Sequence, residues 1–132
     1  MSSSMLAALV FAIALIVACR GDGAPPVDAT RLVEAPIVDV EVVPSPSLPA
    51  RYGLRVVSAL PNGCHTYHDA AVARQDAVVT VAVRNAVPAR DDVACTMLYG
   101  TVEHTIDLGA DFTPGVAYTV SVNGRVVVFT AR

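Results

Sequence analysis

The chain has 132 residues, 54% of them hydrophobic and 16% charged, with 9 Arg, no Lys and 12 acids for a net charge of −3. That length holds one domain of ordinary size and leaves little room for a two-domain enzyme with an interdomain cleft. An acidic balance without a basic stripe removes nucleic acid as a partner, and the absence of Trp with 9 Pro, 8 Gly and abundant Val points to short strands and turns.

In chain order the first feature is Met5 to Val17, a run of 13 apolar residues. It falls short of the roughly 20 residues that cross a hydrocarbon core, and it suits the core of a signal peptide. The run closes on Ile16-Val17-Ala18-Cys19, which resembles the lipobox of bacterial lipoproteins. The resemblance implies a signal peptide over 1–18, cleavage after Ala18, and a diacylglyceryl group on Cys19 with acylation, typically palmitate, of the new amine. It also implies a cell-envelope location with the membrane contacted through the lipid. Arg20 stands where an Asp would mark inner-membrane retention, which by the same resemblance implies the outer membrane in a Gram-negative cell.

Residues 19–36 mix Pro and Gly without periodicity and are expected to be a tether. Between Arg20 and Val43 stand two Arg against five acids, while Pro44 to Arg132 balances seven against seven. The net negative charge therefore belongs to the membrane end.

From residue 37 to 132 the apolar period is two, which predicts strands. Ile37 to Val43 should turn Val38, Val40 and Val42 to one face and Asp39 and Glu41 to the other. Tyr52 to Ser58 groups Tyr52, Leu54 and Val56, and the Pro44 to Pro49 stretch between them cannot be a central strand. Thr66 to Arg74 and Val78 to Asn85 follow, joined at Gln75-Asp76, with Val79, Val81 and Val83 inward. After a loop through Pro88, Asp91 and Asp92, Thr101 to Leu108 alternates with Val102, His104, Ile106 and Leu108 on its apolar face. His104 is expected to be a hydrogen-bonded core histidine. Ala117 to Val122 and Arg125 to Ala131 flank Asn123-Gly124, which supplies the two positive φ angles of a type I′ hairpin turn and pairs Val122 with Arg125, Val120 with Val127 and Tyr118 with Phe129.

Seven strands in this span predict an all-β, antiparallel sandwich of immunoglobulin or fibronectin-III type. The segment Leu108 to Val122, with Pro114-Gly115 ahead of Tyr118, resembles the approach to the penultimate strand of those domains. The resemblance implies a tyrosine whose hydroxyl caps the preceding corner. The stretches from Leu60 to His65, Val93 to Gly100 and Tyr118 to Gly124 resemble envelope lipoproteins of environmental bacteria, which implies a location and no activity.

With Cys19 assigned to lipid, Cys64 and Cys95 form an even pair that reads as a disulfide in an oxidising envelope. It would tie loops carrying the binding candidates Asn62, Gly63, Arg90, Asp91 and Asp92. The alternative is a copper or zinc site built from Cys64, His65, His68 and Cys95, since thiolate and imidazole suit soft metals. Ser58 and Ser121 lie on regular strands without a nucleophile elbow, so no enzyme and no cofactor are expected. The function expected is a lipid-anchored, non-catalytic binding or structural module that meets an envelope protein or a polysaccharide, with an immunoglobulin-like protease inhibitor as a further alternative.

Overall fold

The computed structural model describes Gly21 and residues 23–132, so the expected signal peptide 1–18 and Cys19 lie outside the described residues. The described chain is all-β, with β1 Thr30–Glu34, β2 Ile37–Ser45, β3 Arg51–Leu60, β4 Thr66–Gln75, β5 Val78–Pro88, β6 Gly100–Gly109, β7 Ala117–Val122 and β8 Arg125–Thr130. One sheet has three strands in the order β2-β3-β6, and the other has five, centred on β5. β4 pairs with nearly the whole of β5 along one edge. The other edge is shared end to end, by β7 at Val78 to Val81 and by β1 at Arg84 to Pro88. Every ladder is antiparallel except β5 with β7, which run parallel. Between β1 and β2 the chain crosses from one sheet to the other through Ala35-Pro36, with Ala35 buried at the crossing.

β1 corrects the sequence reading, because it occupies part of the expected tether and begins the sandwich at residue 30 rather than 37. Only Leu32 and Val33 are apolar there. The strand exists through its ladder to the end of β5, a tertiary pairing that propensity does not carry. A second correction concerns Val38, which is 43% exposed. A bulge between Ile37 and Asp39 shifts the register against β3 and turns this side chain outward. The turn between β4 and β5 also moves by one residue, to Asp76-Ala77, since Gln75 pairs with Val78.

The core lies between the sheets and changes character along its length. Leu54, Val56, Val79, Val81, Val83, Val120 and Val122 fill the middle and are essentially inaccessible. Alternation on β3, β5 and β7 puts them there, and each contributes about 1.5–3 kcal/mol of transfer free energy. At one end Tyr52, Phe112, Tyr118 and Phe129 pack ring against ring, with centroids 4.7 to 5.6 Å apart. The opposite end, where β3 and β5 finish and β4 and β6 begin, has a polar interior with Ser58 and Asn85 fully buried.

Candidate functional site

That polar end carries the two loops singled out in the sequence. Asn62 Oδ1 accepts from Cys64 N–H at 3.0 Å, closing a local turn that presents the Cys64 sulfur, and Gly63 N–H donates to Thr96 C=O at 2.9 Å. A Cβ at Gly63 would stand 1.9 Å from Thr96 Oγ1, so any larger residue here would force the Thr96 side chain to move. Cys64 and Cys95 are joined, with Cα atoms 5.3 Å apart. Both expected loops are thus bound together at one end of the sandwich.

Between them opens a cleft of about 210 Å³ lined by Arg31, Asn62, His65, Arg90, Asp91 and the disulfide. Arg90 holds Asp92 in a two-pronged pair, Nε to Oδ1 at 2.8 Å and Nη2 to Oδ2 at 2.6 Å. The Arg90 guanidinium lowers the Asp92 carboxyl below its ordinary pKa. Arg31 approaches Asp91 at 3.7 Å. Of the binding candidates, Asn62, Arg90 and Asp91 line the cleft, Gly63 stands outside its lining and bonds to Thr96, and Asp92 pairs with Arg90. Arg31 is not among the sequence candidates: the sequence places it in the expected tether, and the β1–β5 ladder brings it to the site.

The metal alternative is corrected. Cys64 and Cys95 spend their sulfurs on each other, which leaves neither as a thiolate ligand. His65 Nδ1 lies 3.4 Å from the buried Asn85 Nδ2, and His68 Nδ1 lies 3.4 Å from Asp69. Asp69 is drawn to Arg84, whose guanidinium keeps its carboxyl low.

Behind the cleft, Asn85 Nδ2 donates to Ala59 C=O at 2.9 Å, tying β5 to β3 across the sandwich. His104 departs from expectation: its Nε2 is buried with no hydrogen-bond partner among the described residues. Its ring instead stacks on Tyr67, with centroids 3.6 Å apart and planes 22° from parallel. Burial lowers its pKa, so the neutral imidazole is favoured.

At the aromatic end, Tyr118 OH accepts from Thr113 N–H at 2.8 Å, the corner cap implied by the segment Leu108 to Val122.

The fold and the bridged loop end define a disulfide-stapled, all-β sandwich. The family model of the ORF11 beta-sandwich domain matches residues 54–131, and the chain belongs to that family. No curated protein and no solved structure matches it.

Proposed function

We propose that the chain is a lipid-anchored, non-catalytic binding or structural module of the cell envelope. The observation that carries this reading is the loop end. A disulfide and the Gly63 to Thr96 bond join the two loops beside a cleft, where Arg31, Asn62, His65 and Asp91 offer donors and acceptors. Loops fixed by a rigid sandwich are where such domains bind. The groups suit hydroxyls, amides and carboxylates, as an envelope protein or a polysaccharide would present. Ile16-Val17-Ala18-Cys19 supports the anchor.

The test uses the full chain expressed in a bacterial host, as wild type, Cys19→Ala and Arg31→Ala. Mass spectrometry of the mature N-terminus should find an acylated Cys19, and Cys19→Ala should remain an uncleaved precursor. Crosslinking in intact envelopes should retain a component that Arg31→Ala loses. An unmodified mature N-terminal peptide removes the anchor, and a failure to retain any envelope component removes the binding role.

A further inference from the structure

Three consecutive apolar residues, Met97, Leu98 and Tyr99, stand 89%, 74% and 65% exposed at the disulfide end of the sandwich. Single exposed apolar side chains are ordinary, whereas a contiguous run at the tip of a domain marks a contact surface. This run is held in place from both sides. Thr96 is bonded to Gly63, Cys95 is bridged to Cys64, and Gly100 opens β6 opposite Leu60. The three side chains are therefore presented outward by a fixed backbone.

The chain leading back to Cys19 departs from the same end. Thr30 pairs with Pro88, Ala89 N–H donates to Ala29 C=O at 2.8 Å, and Ala24 and Pro25 lie beside Ala89 to Asp92. From Cys19 to Ala24 is five residue steps, at most about 18 Å fully extended. A lipid on Cys19 would hold this end, and not the aromatic end, close to the bilayer. Arg90 pairs with Asp92 and Arg31 lies 3.7 Å from Asp91, which offsets part of the acidic charge at this end and leaves Asp28 on the chain toward Cys19. A Tyr beside Met and Leu also suits the interface, where an apolar body with a polar tip is favoured.

We propose that Met97-Leu98-Tyr99 is a membrane-contacting tip that seats the disulfide end of the sandwich in the interfacial layer of the bilayer. The proposal rests on the reading of Cys19 as a lipid anchor and names the surface that the loop end meets. A ligand of the cleft is then one encountered at the membrane surface.

The chain has no Trp, so a single introduced Trp reports without background. The mature, lipidated Leu98→Trp protein is reconstituted into phosphatidylethanolamine and phosphatidylglycerol vesicles. Leu48→Trp, at a fully exposed position in the β2–β3 loop of the opposite end, serves as the control. The expected result is flotation of both variants with the vesicles, blue-shifted emission from Leu98→Trp with most of its intensity quenched by brominated lipid, and water-like emission from Leu48→Trp. Flotation with water-like emission from Leu98→Trp overturns the seat and leaves the anchor standing, and the tip would then serve a protein partner. Flotation with both positions quenched overturns the oriented seat. Absence of flotation removes the anchor and the seat together.

Discussion

The Asn123 side chain holds both backbone groups of Val83, its Oδ1 accepting from the N–H at 2.9 Å and its Nδ2 donating to the C=O at 2.8 Å. The same Nδ2 donates to Ala35 C=O at 2.7 Å. This is the point on the edge of β5 where β7 has ended and β1 has already left for the other sheet, so a side chain completes the ladder between them. Asn123 also sits at φ 45° as the first residue of the β7–β8 turn.

One residue thus closes a hairpin and a gap in a sheet, and substitutions separate the two roles. Asn123→Gly keeps the positive φ and loses the side-chain bonds, and should cost roughly 2–3 kcal/mol at about 1 kcal/mol net per bond. Asn123→Asp retains an acceptor for Val83 but turns an anion toward two carbonyls, and should be less stable than the Gly variant at pH 7. Urea denaturation checks the order, and a Gly variant as stable as wild type would remove the ladder role.

Tyr118→Phe removes the acceptor of the Thr113 N–H, a donor on a part-buried corner. The expected cost is about 1–2 kcal/mol with the fold retained. Tyr52→Phe removes the acceptor of the Arg132 N–H at 2.7 Å, a bond as part-buried as that of Thr113 and likewise made by an exposed residue, so a similar cost is expected. Urea denaturation checks both, and no loss from Tyr118→Phe would argue against the corner cap as a support.

The Cys64–Cys95 bridge spans a sequence separation of 31 residues. In the chain-entropy account a loop of this length removes about 3–4 kcal/mol of denatured-state freedom. Cys64→Ala with Cys95→Ala should lose about that much and lower the melting temperature, while His65→Ala should change little. Denaturation without reductant should expose no free thiol at either position. A pair of titratable thiols in the native protein would refute the bridge and restore the metal alternative.

Much of this architecture was readable from alternation, since Val79, Val81 and Val83 or Tyr118, Val120 and Val122 have only one sensible facing, and Asn123-Gly124 sets the β7–β8 register. Tyr118 was readable for the same reason, as a short local pattern with a local consequence. What escaped depends on distant pairing. β1 exists because the end of β5 needs a partner, the parallel match of β5 with β7 has no sequence period, and Val38 turns outward at a bulge that only the ladder reveals. At the loop end the cysteines and the Asp91-Asp92 loop announced themselves as residue types. Arg31 could not, since nothing near it in sequence points to the cleft. Asn85 was hidden by lying in register with inward valines, where a buried amide makes sense only once Ala59 is known to face it.

The His104 imidazole yields a prediction about acid. Burial lowers its pKa in the fold, whereas the unfolded chain returns it to about 6.5. The unfolded state therefore binds the proton more readily, so the contribution of His104 to stability is fully present above about pH 6.5 and is lost as pH falls below that value. Tyr67 stacks on the ring and Val56 is its ladder partner in β3, and neither carries a charge in this range. The carboxylates held low by their partners, Asp69, Asp92 and Asp107, titrate well below this window and add no slope to it. His104→Phe keeps a ring against Tyr67, removes the titration and leaves no acceptor unpaired, since Nε2 has no partner among the described residues. At pH 7 the variant should stay within about 1 kcal/mol of wild type, because no existing hydrogen bond of Nε2 is given up. Between pH 7 and 5 the wild type should lose stability and His104→Phe should lose less, as measured by urea midpoints at each pH. Parallel slopes for the two proteins would show that the acid sensitivity lies elsewhere.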